Sequence, residues 1–172
     1  MEGVGVILKP KAQCTFATML PFIGTGGCVV AGEGTIKFIA DTLKFTGLLD
    51  IRSGAVDLSE SSAIAELAVR GPGKLEGGNI AKLTIRADTT GTRSPVLSGV
   101  SAERAIVDFG ADSTSPVKGE NILVAVYRQE NPPEIGRWKV IGTGLKFAHA
   151  HLSVKDGEVR ATVTESLSII VR

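Results

Sequence analysis

The chain has 172 residues, enough for one well-packed domain and too few for two comfortable ones, and its 43% hydrophobic content can supply a core. Its 19 Lys and Arg residues balance 18 Asp and Glu residues without a run of like charge, so composition gives no support for nucleic-acid binding. Aromatic residues make up only 5%, few for base-stacking platforms or aromatic sugar-binding clefts.

Two stretches in the first part of the chain bear on export and on membrane insertion. Met1-Glu2-Gly3 lacks the basic region of a secretory signal, so we expect a cytoplasmic protein, with non-standard export or a place in a virion left open. Residues 12–32 carry no charge, and their length approaches that of a membrane span. Because Pro21 and several glycines interrupt this stretch, we interpret it as two buried strands and predict no membrane span.

Rare residue types give two further indications. Cys14 and Cys28 do not form a CxxC pair, which excludes a zinc ribbon; they are two small hydrophobic residues or one disulfide. The chain has few thermolabile side chains, with two Cys, two Met and five amides, the latter being Gln13, Asn79, Asn121, Gln129 and Asn131. So few of these residues are typical of thermophilic proteins, and chance variation in the composition of a β-rich chain is the alternative explanation.

Alternating apolar and polar residues predict strands along the first half of the chain. The clearest run is 43–51, where Leu43, Phe45, Leu49 and Ile51 share one face. The turn Arg52-Ser53-Gly54 and the run 55–58 follow, so this region predicts a β-hairpin. Residues 61–69 fit both helical and strand spacing, and we favour a strand because their surroundings are β.

The second half continues the same pattern. Residues 122–127 are apolar on both faces and predict a central buried strand. Residues 145–154, the turn Lys155-Asp156-Gly157 and residues 158–171 predict a second hairpin. Leu145-Lys146-Phe147 opens this hairpin as Leu43-Lys44-Phe45 opens the first. We therefore predict a single all-β domain over residues 1–172, a β-sandwich or β-barrel with two pseudo-repeated hairpin units.

The second hairpin also contains the best candidate for chemistry. Relative to the first copy it has one extra residue, as a β-bulge requires, and the insertion falls in Ala148-His149-Ala150-His151. On a regular strand both imidazoles would point to one face, a common beginning of a metal site. Glu165 lies at an apolar position of the last strand and is the candidate third ligand of a divalent metal.

More ordinary interpretations of these residues remain open. A bulge between the histidines would turn them to opposite faces, and Glu165 could mark the strand's exit from the core or form a salt bridge. The HxH also resembles the first metal-binding motif of the cupin family, but Lys155-Asp156 stands where that motif has its glutamate, and no second cupin motif follows. We therefore assign the chain to no family.

These features lead to two functional hypotheses. Strand-like termini and the lack of a chemical motif favour a structural or assembly protein, a homo-oligomeric shell, coat, filament or scaffold subunit. Its interface would be made by terminal strands, so deletion of residues 166–172 should abolish assembly. The alternative is a small-ligand or metal-binding β-barrel, either a binding protein or an enzyme, with a site at His149, His151 and Glu165.

Overall fold

A computed structural model describes residues 5–18, 22–39, 43–61, 64–89, 92–111, 114–128 and 133–166. Within these ranges the chain forms fifteen strands and one short 3-10 turn, Ile135–Arg137. The strands are β1 Val6–Leu8, β2 Thr15–Thr18, β3 Phe22–Gly24, β4 Cys28–Ile39, β5 Leu43–Phe45, β6 Leu49–Glu60, β7 Ile64–Arg70, β8 Lys74–Glu76, β9 Asn79–Arg86, β10 Val96–Ser98, β11 Ser101–Ala111, β12 Gly119–Tyr127, β13 Lys139–Thr143, β14 Ala148–Lys155 and β15 Glu158–Glu165.

Parallel pairing between successive passes of the chain dominates the sheet. β4 pairs in parallel with β1, β2 and β6, and β6 pairs in parallel with β7 and β8. Parallel partners then continue through β9, β10, β11, β12 and β13. The all-β prediction is confirmed. The sheet wraps around a core as a barrel does, but its strands stack in the manner of a solenoid.

The core consists of inward-facing residues that stack from one pass to the next. One row of register partners, here called the aromatic-ended row, begins at Phe16 and ends at Tyr127. Ile36, Val56, Leu75 and Leu97 fill its interior and are almost completely buried. A second row runs from Val6 through Cys28 and Leu49 to Leu67, Leu83 and Ala105. Burial of these aliphatic side chains is the main driving force for the fold.

The first predicted hairpin is wrong. Residues 52–54 do not reverse the chain, because β6 runs through them and pairs only in parallel. They form a corner that redirects the strand. Gly54 has a φ of 74°, and a Cβ atom there would lie 2.7 Å from the carbonyl oxygen of Gly34, so this corner requires glycine. The predicted pseudo-repeat of two hairpins therefore has no counterpart in the fold.

The second predicted hairpin is present. β14 and β15 pair antiparallel, and Lys155 is opposite Glu158 across the two-residue turn Asp156-Gly157. Both turn residues have positive φ, 51° and 77°, as a type I′ turn requires. β15 also pairs antiparallel with β12, so this hairpin extends the parallel sheet at its C-terminal end. Val159, Ala161 and Val163 of β15 are buried in the core.

Other local predictions can be compared directly with the structure. Residues 64–70 form a strand, as we favoured over a helix, and the buried strand predicted at 122–127 lies within β12. The run predicted as a single strand over 43–51 is divided into β5 and the beginning of β6. No helix in the described part of the chain is long and apolar enough to cross a membrane.

Candidate functional site

The N-terminal end of the stacked sheet exposes side chains that belong to inward-facing rows. Phe16 begins the aromatic-ended row and is 61% exposed, whereas its neighbour Ile36 is 2% exposed. Val6 is paired with the buried Cys28 and is 46% exposed. These two side chains point inward by their register and still contact solvent, because among the described residues no further pass of the chain lies over them.

Phe16 borders an apolar cavity of about 310 Å³, and Leu8, which belongs to the same strand as Val6, also lies in its wall. Its walls are formed mainly by Leu8, Pro10, Cys14, Phe16 and Ile36. Among the described strands, β1 and β2 pair only with β4, which leaves the other edge of each without a strand partner. The open end, as we call residues 6–18 with this cavity, therefore combines apolar side chains with free strand edges, a combination that favours association.

Close packing of backbone fixes the shape of the open end. The amides of Glu33 and Gly34 donate hydrogen bonds to the carbonyl oxygen of Pro10, at 2.9 and 3.1 Å. A Cβ atom at Gly32 would lie 2.3 Å from that same oxygen, so only glycine allows this approach. Lys9 and Lys11 are exposed in the wall of the cavity, so the charged side chains that line it are basic. Glu33 is exposed on the neighbouring strand β4.

The two cysteines lie in contrasting environments and are not bonded to each other. Cys14 is exposed at the open end, and Cys28 is buried in the core. Loss of solvation on burial raises the pKa of the Cys28 thiol to about 11. The sequence left open a disulfide or two small hydrophobic residues. In the structure both thiols are free, and of the two only Cys28 is a small buried residue.

The structure separates the predicted metal ligands onto two faces. His149 is opposite Thr164 and His151 is opposite Thr162, without a bulge between them, so both exposed imidazoles share one face. Glu165 is opposite Ala148 and therefore belongs to the other face. It is exposed and forms an ion pair with Lys118, which agrees with the interpretation of a strand leaving the core.

Metal coordination at this hairpin would therefore depend on the two histidines. Among the described residues, no group of three or more His, Cys, Asp or Glu side chains is close enough together to hold a metal ion. The register partners of the histidines, Thr164 and Thr162, offer only hydroxyl groups on that face. Metal binding at His149 and His151 remains a prediction.

Among the described residues, the most deeply buried carboxylate belongs to an ion-pair cluster in the body of the sheet. Asp50 is 5% exposed and accepts hydrogen bonds from Arg52 at 2.9 Å and from Arg70 at 3.1 Å. A buried carboxylate with two guanidinium partners is satisfied and poorly suited to proton transfer. We assign this cluster to stability.

Comparison with models of known protein families, with curated proteins and with solved structures finds no match for this chain. Function must therefore be argued from its own geometry. Sequence reasoning missed the open end because alternation predicts strands but does not show which strand forms the first pass of the stack. One feature of the sequence could have indicated the open end. The uncharged stretch that follows Lys11 supplies the apolar side chains that are exposed there.

Proposed function

We propose that this protein is a structural or assembly subunit whose copies associate through the open end. The observation that carries the proposal is the exposure of Phe16 and Val6 at inward-facing positions. Burying a phenylalanine or valine side chain stabilises a complex by about 1.5–3 kcal/mol each. A partner that completes the stack would bury both side chains and fill the cavity beside them.

A second copy of the chain is the partner that this surface suits best. Lys9 and Lys11 lie in the cavity wall and the exposed Glu33 lies on the neighbouring strand β4, so in a two-fold pair Glu33 of one copy can meet these lysines of the other. The free edges of β1 and β2 can pair with the same edges of another copy. Such an isologous contact uses one surface twice and needs no second binding site.

A closed pair is the proposed building unit. A filament needs a complementary apolar surface at the other end of the stack. The outermost described strands there, β13 and β14, also have one edge without a strand partner, but Tyr127, the last residue of the aromatic-ended row, is buried. The paired unit could serve in a scaffold, a coat or a shell. The truncation predicted from sequence, residues 166–172, falls outside the described residues except for Ser166, and its effect remains a prediction.

Sedimentation equilibrium with two matched variants tests this proposal. Phe16 and Phe147 are both exposed aromatic residues, 61% and 49%, but only Phe16 belongs to the open end. We expect a dimer for the wild type and for Phe147→Asp, and a monomer for Phe16→Asp. A monomeric wild type, or dissociation caused by Phe147→Asp alone, would contradict the proposal.

The shared face of His149 and His151 favours a second candidate, a weak divalent-metal site. Two imidazoles two residues apart on a strand stand about 7 Å apart along the chain, close enough for one ion with water completing the shell. We expect Zn²⁺ binding by titration calorimetry to be lost in the His149→Ala, His151→Ala double variant. Glu165→Gln is the control and should bind as the wild type does, because Glu165 lies on the other face.

A further inference from the structure

The chain has a single tryptophan and a single tyrosine, and both line the same cavity. The cavity measures about 380 Å³, within the range of small-molecule sites. Trp138 and Tyr127 lie in its wall together with Ser101, Pro133 and Glu134. The core of the sheet is otherwise mainly aliphatic. Packing of the sheet therefore does not explain why the tryptophan and the tyrosine lie at the same cavity.

Local structure fixes how these residues meet. The 3-10 turn Ile135–Arg137 is closed by a hydrogen bond of 2.9 Å from the Trp138 amide to the Ile135 carbonyl oxygen, and it places Trp138 directly before β13. The Tyr127 hydroxyl donates to the carbonyl oxygen of Val100 at 3.1 Å, which holds the phenol at the end of the buried row. The cavity lies between the beginning of β11, the end of β12 and this turn.

The charge of the cavity indicates the class of ligand. Among the described residues that line it, Glu134 is the one ionisable carboxylate and none is Lys or Arg. Arg137 and Lys139 flank Trp138 in sequence, but both are exposed outside the cavity wall. Within the described part of the chain, no cationic side chain forms an ion pair with Glu134. The carboxylate is therefore available to a positively charged ligand.

We infer that this cavity, here called the Trp138 cavity, binds a small organic cation of the ammonium or quaternary ammonium class. Aromatic rings attract such cations through their quadrupoles, with tryptophan the strongest, and one carboxylate supplies the compensating charge. Leu83 and Val100, which also line the cavity, offer apolar contacts to the methyl or methylene groups that surround the charge. This site is independent of the open end and of the two histidines.

The single tryptophan allows a direct test by fluorescence. Choline and its neutral carbon isostere 3,3-dimethylbutan-1-ol have the same shape and differ in charge, so each is titrated into the full chain while Trp138 emission is recorded. We expect a saturable change with choline and an affinity at least about tenfold weaker for the neutral isostere, which corresponds to ~1.4 kcal/mol. Equal affinities for the two probes, or no response to choline, would overturn the inference.

A matched pair of variants locates the charge that is responsible. Glu134→Gln should weaken choline binding about tenfold and leave the neutral isostere unaffected, whereas Glu33→Gln, at the far end of the sheet, should change neither. Both glutamates are exposed, so the two proteins should fold alike, as circular dichroism can verify. Unchanged choline affinity in Glu134→Gln would overturn the inference, as would a saturable response to neutral sugars without one to choline.

Discussion

The aromatic-ended row has an aromatic side chain at each end, and the two side chains differ in their exposure to solvent. Phe16 begins the row and is 61% exposed, and Tyr127 ends it and is 8% exposed. At the C-terminal end, β12 and the antiparallel hairpin β14–β15 cover the core, while at the N-terminal end β1 and β2 are the only described strands that pair with the outer edge of β4. Repeat proteins need a cap at each terminus of the stack. In this chain one cap is internal, and we propose that a second copy provides the other.

The strongest way to challenge this contrast is to place the same charge at both ends. Val163 of the hairpin is 1% exposed, so Val163→Asp buries an unpaired carboxylate and should lower the free energy of unfolding by about 4 kcal/mol. Val6→Asp, at the open end, should leave monomer unfolding within about 0.5 kcal/mol and weaken association instead. Urea denaturation at low protein concentration, combined with sedimentation, measures both quantities. Equal destabilisation by the two variants would show that the ends do not differ.

Thiol labelling compares the open end with the core in a single sample. In the native protein a maleimide should modify Cys14 and leave Cys28 unmodified until the chain unfolds, because Cys28 is buried and its pKa is raised to about 11. Association should slow the labelling of Cys14 as protein concentration rises. Mass spectrometry of the labelled peptides follows both reactions, and a Cys14 rate independent of concentration would argue against its burial in a pair.

A substitution in the turn between β14 and β15, at the covered end, should have a smaller effect on stability. Gly157 has a φ of 77°, which an L-residue adopts at a cost, so Gly157→Ala should reduce the free energy of unfolding by about 1 kcal/mol. Oligomeric state should not change, because the turn lies away from the open end. Thermal unfolding gives the stability and light scattering gives the mass; a loss of dimer in Gly157→Ala would contradict the separation of the two ends.

Acid should cause only a small loss of stability through the ion pair between Asp57 of β6 and Lys37 of β4. Burial alone would raise the pKa of the Asp57 carboxyl, but hydrogen bonds from the Ser59 hydroxyl and amide and the charge of Lys37 outweigh it and lower that pKa. A lowered pKa contributes stability above the ordinary value of 3.8, which is lost as pH falls through the folded value. We expect Asp57→Asn to reduce the loss of stability between pH 5 and 2 by less than about 1 kcal/mol in denaturant titrations.

Alternation of apolar and polar residues predicted most strands. Side chains alternate between the two faces of a strand whether its neighbour is parallel or antiparallel. This alternation could not predict parallel stacking, since the partner of Leu49 is Leu67 and the partner of Ile106 is Lys139, steps too unequal to produce a visible repeat. The false hairpin at Gly54 has one residue of positive φ, whereas the true one at Asp156-Gly157 has two. The sequence interpretation treated both turns as hairpin turns, and the φ values of the turn residues distinguish them.

The candidate metal site shows how much register matters. A two-residue turn at Asp156-Gly157 pairs Lys155 with Glu158, which fixes every later pair and places Glu165 opposite Ala148. The separation of Glu165 from the histidines could thus have been worked out from the sequence by counting outward from the turn. The exposure of Phe16 could not, because it depends on which strand begins the stack. The thermophilic source and the cytoplasmic location remain predictions.

Native mass spectrometry of the untagged protein at low micromolar concentration tests the central claim most directly. The chain has a mass of 17.9 kDa, and association through the open end predicts a single species of twice that mass, which Phe16→Asp converts to monomer. A monomer for the wild type, or an open-ended series of larger species, would contradict a closed pair formed at this end.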